Sequence, residues 1–309
     1  MKSGAFLIGL DGGGTKTVAL LSDLEGHVIG RGIGGPSNYQ VVGIESAGEA
    51  MNQAIRAAFA EAGVEPCAPR AMGLGLSGVD RPADFDVIRA WAAGQMPDTR
   101  VVIVNDAMIV LAAGTPEGWG IAMISGTGSI VYGRSREGRL IRAGGWGYIL
   151  GDEGSGYAIG QAALQAVMRA HDERAPQTKL TQSVLAHWSL ESPTHLVSRV
   201  YIDQVSPSDI AKLAVLVEAA ASAGDVVAQD ILREAGRELA LAASAVVRRL
   251  GLQGAIPCAQ AGSVIVKGQN IQKMFIQEAV ALGLQLDPVT PVTEPAQGAV
   301  RLAREALRE

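Results

Sequence analysis

Residues Leu7-Ile8-Gly9-Leu10-Asp11-Gly12-Gly13-Gly14-Thr15-Lys16-Thr17-Val18-Ala19-Leu20-Leu21 decide how this chain is read. An apolar run from Ala5 to Leu10 stops at Asp11, three glycines and Thr15 make a tight turn, and a second apolar run returns from Val18 to Leu21. The pattern predicts a β-hairpin with a glycine-rich tip and a carboxylate at its root. A Walker A loop would place lysine after the second of two glycines five apart, and after Gly9 and Gly14 that place holds Thr15. What remains is a bare turn whose backbone N–H groups and Thr15 and Thr17 hydroxyls are open to phosphate oxygens. Asp11 suits a hydrated Mg²⁺, which takes few carboxylates and keeps several waters. The competing reading is an ordinary hairpin with a solvated Asp11, and Lys16 either reaches a phosphate or lies in solvent.

Outward from this hairpin, the turn Asp23-Leu24-Glu25-Gly26 leads to a strand at 28–33, then come a helix over 45–62 and strands at 71–76 and 101–104. The order βββαβαβ fills about the first 105 residues. A second apolar strand, 121–124, then ends on Ser125-Gly126-Thr127-Gly128-Ser129 and returns at 130–132. Glu25-Gly26-His27-Val28-Ile29 and Glu137-Gly138-Arg139-Leu140-Ile141, 112 residues apart, share the pattern Glu-Gly-x-aliphatic-Ile after the two tips, and each leads into paired glycines, 34–35 and 144–145. The chain therefore reads as two copies of one β-rich α/β unit. The second tip could close on the other side of the same phosphates.

The second half carries more helix, predicted at 153–171, 178–189, 208–222 and 225–250. In the last, Ile231, Ala235, Leu239, Ala242, Val246 and Leu250 form one core-facing stripe. A strand at 257–261 precedes Gly262-Ser263, a helix follows over 267–282, and another closes the chain after Pro295. The expected domains are 1–115 and 116–295, with the final helix, about 296–309, packing back on the first.

The 309 residues, 48% of them hydrophobic, suffice for two domains with sizeable cores. Only Cys67 and Cys258 occur, far apart, which argues against a disulfide framework or a cysteine-ligated zinc or iron-sulfur site and fits a cytoplasmic setting. The apolar run before Asp11 is too short for a signal peptide, and no run approaches the roughly 18 residues that span a bilayer. A net charge of -5 without a long basic cluster disfavours nucleic acid, and His27, His171, His187 and His195 show no ligand spacing for a transition metal. Two GxGxxG matches, 30–35 and 73–78, run into Pro36 and Pro82, which disfavours the helix a dinucleotide fingerprint opens. Chemistry on a small molecule is the expectation.

Phosphoryl transfer to an alcohol needs a positioned nucleotide, a metal and a base aimed at the hydroxyl. Asp106 follows the strand 101–104, at the carboxyl end where open α/β sheets place their ligand sites. Its competing reading is an N-cap for a helix over 107–113.

Taken together, Asp11-Gly-Gly-Gly-Thr15, Ser37-Asn38, Leu76-Ser77-Gly78, Asn105-Asp106-Ala107, Ser125-Gly-Thr-Gly-Ser129, Gly144-Gly-Trp-Gly147, Gly151-Asp-Glu-Gly-Ser155 and Ala261-Gly-Ser263 resemble the N-acetylglucosamine kinase branch of the BadF/BadG/BcrA/BcrD ATPase family, within the actin, Hsp70 and sugar-kinase superfamily. The resemblance covers most of the chain. It implies an α/β fold of two ribonuclease-H-like, actin-like ATPase domains with a cleft between them, and an ATP-dependent kinase acting on the 6-hydroxyl of an amino sugar. It also implies ATP at Gly12, Gly13, Gly14, Thr15, Lys16, Gly126, Thr127, Gly128, Gly262 and Ser263, Mg²⁺ near Asp11 through water, and a homodimer. Asp106 becomes the catalytic base. Sugar contacts fall to Asn38, Ser77, Asp106, Ser129, Gly145, Trp146, Gly147 and Asp152, residue types that read ring hydroxyls and a sugar face.

Taken singly, Asn38 also reads as a turn residue, Ser77 as a strand-end hydroxyl, Trp146 as a core anchor and Asp152 as a helix N-cap. Ile130 departs from the eukaryotic pattern, which often has Asn there, so one polar sugar contact is expected to be missing. Glucosamine and N-acetylmuramate remain alternative substrates. An ATP-hydrolysing activator is disfavoured by the two unpaired cysteines. A sugar-sensing regulator lacks a helix-turn-helix before the first hairpin.

Overall fold

The computed structural model describes residues 6–308, so Ala5 of the first predicted strand and Glu309 of the last predicted helix lie outside the described residues. The described chain forms two compact units, one running to Gly118 and resuming at Glu294, the other Trp119–Thr293.

The first unit carries β1 (Leu7–Gly12), β2 (Thr17–Ser22), β3 (Val28–Gly34), α1 (Tyr39–Val42), α2 (Ile44–Glu61), β4 (Ala71–Leu76), α3 (Pro82–Gln95), β5 (Arg100–Asn105) and α4 (Asp106–Gly114). Its sheet runs β3-β2-β1-β4-β5, with β1 antiparallel to β2 and parallel to β4. Ile8, Leu10, Met72, Leu74 and Leu76 face Met51, Ile55 and Phe59 of α2. Leu7 and Ala71, on the opposite face, pack against Ala296, Val300 and Ala303 of the C-terminal helix, Ala296–Ala306. Burial on both faces explains why β1 and β4 read as unbroken apolar runs. Strand alternation puts Asp11 on the face of Leu7 and Gly9, the side covered by the C-terminal helix.

β1 extends one pair further than the sequence suggests. Gly12 still pairs with Thr17 and Leu76, so Asp11 lies inside the strand and the turn proper is 13–16, closed by Gly13 N–H donating to the Lys16 carbonyl at 3.0 Å. No helix starts directly on the glycines of 73–78; α3 opens only at Pro82, which sits in its first turn, where its missing N–H costs nothing.

The C-terminal helix lies close against α4. A Cβ at Gly298 would stand 1.8 Å from the Ile109 carbonyl oxygen, and Arg301 donates to the carbonyls of Ala112, Thr115 and Pro116 at the end of α4. Gly298→Ala is therefore expected to cost roughly 1–3 kcal/mol by overpacking. Thermal melting would register it, and an unchanged Tm would mean the two helices separate freely.

The second unit carries β6 (Gly120–Ser125), β7 (Ser129–Arg134), β8 (Leu140–Gly144), α5 (Gly156–His171), α6 (Leu180–Trp188), α7 (His195–Val197), a π-helical turn (Ser198–Ile202), α8 (Pro207–Lys212), α9 (Ala214–Ser222), α10 (Val226–Leu250), β9 (Ile256–Ala261), α11 (Ser263–Lys267), α12 (Gln269–Ala281) and β10 (Leu286–Pro291). Its sheet order, β10-β9-β6-β7-β8, repeats the first sheet strand for strand. The echoed turns match in detail. Asp23 N–H donates to the His27 carbonyl and Gly26 N–H to Asp23, as Ser135 N–H does to Arg139 and Gly138 N–H to Ser135. Gly26 and Gly138 both have positive φ.

β10 escaped the sequence reading because Pro288 and Pro291 lie within it; as an edge strand paired only with β9 it tolerates them. The helix predicted over 208–222 divides at Leu213, and the one over 267–282 is α11 and α12, separated by Gly268. Among the described residues no helix is long and apolar enough to cross a membrane.

Candidate active site

In the first unit, hydrogen bonds strap the hairpin tip to two neighbouring loops. Ser37 N–H donates to Gly13 O at 3.0 Å, Ser77 N–H to Gly12 O at 2.8 Å, and the Thr17 hydroxyl reaches Gly35 O at 2.7 Å and Ser37 Oγ at 2.8 Å. Thr15 and Lys16 are exposed on the tip. Ser77, at the end of β4, hydrogen-bonds the Asp106 carboxylate at the end of β5.

Asp106 is not the helix cap. That role belongs to Asn105, whose Oδ1 accepts from Ala107 N–H at 2.9 Å and whose Nδ2 donates to Asp80 Oδ1 at 2.9 Å. Asp106 is the first residue of α4. Burial raises its pKa to about 6; the nearby Asp80 charge adds to this, and the Ala107 amide and Ser77 hydroxyl oppose it.

Asp11 is half-buried beside it. Burial first, then the Asp106 and Glu294 charges, push its pKa up to about 7 against the opposing pull of Lys16. Glu294, just before the C-terminal helix, accepts from Arg31 Nε at 2.7 Å. Nothing in the sequence marks Glu294; the folding back of the C-terminal helix brings it to Asp11.

These oxygens fit a hard dication, which would relieve the crowding of Asp11 by other carboxylates. Among the described residues no three acidic, His or Cys side chains are placed to ligate one ion directly. A metal here would keep most of its own water, as Mg²⁺ does.

In the second unit, α5 docks its first amides on the β6–β7 tip. Gly156 N–H donates to Gly126 O at 2.7 Å and Tyr157 N–H to Thr127 O at 3.2 Å. Gly262 has φ +90, and a Cβ there would lie 2.3 Å from Ser125 O, so only glycine lets the Gly262-Ser263 turn approach the same tip.

Asp152 does not cap α5, since Ser155 does so by accepting from Ala158 N–H at 3.1 Å. Instead Asp152 Oδ1 accepts from Ser129 N–H at 3.3 Å, with the Gly147 amide also bonded to its carboxylate. It thus draws Ser129, Gly147 and itself together. Its backbone sits at φ +62, a left-handed conformation uncommon for a residue with a side chain. Burial raises its pKa and Glu153 adds to that.

Trp146 is 59% exposed, so it is no core anchor, and the Arg142 guanidinium covers its ring at 4.3 Å from the centroid. Ile130 faces Gly145, where a Cβ would lie 2.7 Å from Ile130 Cδ1. A pocket of 490 Å³ is lined by Gly126, Thr127 and Ser263 together with Lys212, Glu218 and Lys267. Lys212 of α8, Glu218 of α9 and Lys267 of α11 carried no motif and were missed in the sequence.

The BadF/BadG/BcrA/BcrD ATPase family model matches residues 8–303. An N-acetylmuramic acid/N-acetylglucosamine kinase from Clostridium acetobutylicum is 37% identical over 305 residues, covering 97% of this chain and 98% of that protein. An N-acetyl-D-glucosamine kinase from Dictyostelium discoideum is 32% identical over 308 residues, covering 96% and 97%. The crystal structure of a candidate N-acetylglucosamine kinase from Chromobacterium violaceum matches with a TM-score of 0.76 at 33% identity, covering 97% of this chain and 99% of that one.

Proposed function

The chain belongs to the BadF/BadG/BcrA/BcrD ATPase family, and on that premise we propose that it is an ATP-dependent kinase that phosphorylates the 6-hydroxyl of an amino sugar, N-acetylglucosamine foremost. The observation that carries the chemistry is Asp106. It is held at a strand end by Ser77, left uncommitted by Asn105's capping, and given by burial a pKa of about 6, suited to a base working near neutral pH. Its carboxylate accepts the proton of the 6-hydroxyl as that oxygen bonds to the γ-phosphorus; ADP leaves, and the proton passes from Asp106 to water. Mg²⁺ bound with ATP supplies charge neutralisation at the phosphates, and Asp11 would hold it through water.

Gly12, Gly13, Gly14, Thr15, Lys16, Gly126, Thr127, Gly128, Gly262 and Ser263 are assigned to ATP, with the 490 Å³ pocket beside Thr127 and Ser263 taking the base. Asn38, Ser77, Ser129, Gly145, Trp146, Gly147 and Asp152 are assigned to the sugar. An aliphatic Ile130 against Gly145 leaves the N-acetyl neighbourhood without a side-chain amide at that position. The proposed setting is cytoplasmic and the proposed assembly a homodimer.

Coupled ADP release is the test, run with N-acetylglucosamine, glucosamine, N-acetylmannosamine, N-acetylmuramate, glucose and no sugar. Turnover is expected only with Mg²⁺ and an amino-sugar acceptor, because acceptor binding completes the site and displaces water as nucleophile. Equal ADP release with and without every sugar would overturn the kinase assignment.

A further inference from the structure

Asn38 stands at the N-cap of α1, a helix of only four residues with no buried side chain. So short a helix does not hold itself in place. Asp84, on α3 and 5% exposed, does the holding. Its two oxygens divide the task. Oδ2 accepts from the backbone amides of Asp80 at 3.1 Å and Arg81 at 2.7 Å, which is all that the start of α3 requires. Oδ1 accepts from the Tyr39 hydroxyl at 2.5 Å and from Gln40 Nε2 at 3.3 Å, both on the Asn38 turn. Gln40 Nε2 also donates to the Gly78 carbonyl at 2.7 Å, and a Cβ at Gly78 would lie 2.6 Å from Asn38 Oδ1. From the same loop, Asp80 accepts from Asn105, the cap of α4 beside Asp106. One buried carboxylate therefore fastens the Asn38 turn onto the Ser77-Gly78 loop, within a hydrogen-bonded chain that ends next to Asp106.

We propose that Asp84, through Tyr39 and Gln40, is a positioning residue for the acceptor sugar, fixing Asn38 against the Ser77 loop so that both meet the sugar without a prior ordering step. The inference rests on the amino-sugar kinase assignment and adds to it a residue that sets sugar affinity without touching the sugar. Ordering the turn in advance lowers the cost of binding, and that gain appears in the sugar's KM rather than in the phosphoryl-transfer step.

The test uses the full-length protein with Tyr39→Phe and Gln40→Ala, each of which removes one Oδ1 donor while leaving the Oδ2 contacts to α3 intact. Steady-state kinetics are paired with hydrogen exchange over residues 37–43 and with thermal melting. The sugar KM is expected to rise about three- to tenfold, the scale of one ordinary net hydrogen bond, with kcat and the ATP KM within about twofold of wild type. Exchange over 37–43 should quicken, and adding Tyr39→Phe to Asp84→Asn should shift the sugar KM little beyond Asp84→Asn alone, because one network is being cut twice.

An unchanged sugar KM in both single variants overturns the proposal, whatever the exchange rates do. So does a parallel loss of kcat, ATP affinity and Tm, which would mark a structural role. A wild type that neither binds nor phosphorylates any amino sugar sinks the proposed function itself. A wild type that does both, alongside a normal sugar KM in Tyr39→Phe and in Gln40→Ala, sinks only the role of Asp84.

Discussion

Asp106→Asn is expected to lower kcat by roughly 10²- to 10⁴-fold, the range for loss of a general base, while weakening sugar binding only modestly because the amide can still pair with the hydroxyl. The substitution is clean because the cap of α4 belongs to Asn105 and stays in place. Its effect on stability has a definite sign. The folded-state pKa of about 6 lies above the ordinary 3.8, so the folded protein binds the proton more tightly than the unfolded chain. Stability from this group is full below about pH 4 and is lost as pH rises to about 6, beyond which the ionised carboxylate is a standing cost. Any favourable effect of the helix N-terminus on the charge is already inside that net shift. At pH 8, then, the neutral variant should melt no lower than wild type, and the small difference should vanish near pH 4.

The wild-type kcat/KM for the sugar should fall about tenfold per pH unit below pH 6 as the base of the free enzyme protonates, and the residual activity of the variant should lack that limb. Turnover within threefold of wild type, at an equal melting temperature, would withdraw the catalytic assignment and leave Asp106 an ordinary first-turn residue.

The parts of this fold that were legible in the sequence are those fixed by local backbone demands. Gly26 and Gly138 echo one another because each turn needs a residue at positive φ, and the hydrogen bonds around them repeat. The two glycine tips and the apolar runs of β1, β4, β6 and β9 were readable for the same reason: strands buried on both faces have little compositional freedom.

What depended on tertiary placement was not legible. Adjacent Asn105 and Asp106 are equally good caps by composition, and only the backbone turn into α4 decides that Asn105 takes the role. Asp152 and Ser155 posed the same ambiguity, settled there in favour of the later residue by hydrogen bonding. β10 was hidden by prolines that an edge strand accepts. Glu294 and Asp84 carry no motif at all. The one reaches Asp11 because the C-terminal helix folds back, and the other meets Tyr39 across 45 residues.

Asp11→Ala is the second large effect expected, a fall of roughly 10²- to 10³-fold in kcat/KM for Mg-ATP, the scale for removing one placed electrostatic group from a charge-transfer site. The argument starts from position. Asp11 is inside β1, paired on both sides to Val18 and Gly75, and its carboxylate emerges where the sheet meets the C-terminal helix. Such a backbone cannot drift, so losing the carboxylate loses the group without loosening the hairpin. The carboxylate is also crowded by Asp106 and Glu294, an arrangement that does nothing for the isolated fold and becomes favourable only when a cation sits among them. Removing it should therefore leave the melting temperature of the ligand-free protein at or above that of wild type.

Sugar affinity, measured by calorimetry without ATP, should change little, because no proposed sugar contact runs through Asp11. The Mg²⁺ concentration giving half-maximal turnover should rise steeply, and excess Mg²⁺ should recover part of the rate, since a water-mediated ligand is partly replaceable by bulk metal. Near-normal turnover at limiting Mg²⁺ would show that the metal is placed by other groups and that Asp11 serves only the strand. A variant that lost sugar affinity in step with ATP use would instead point to a collapsed hairpin tip, which the melting curve would reveal independently.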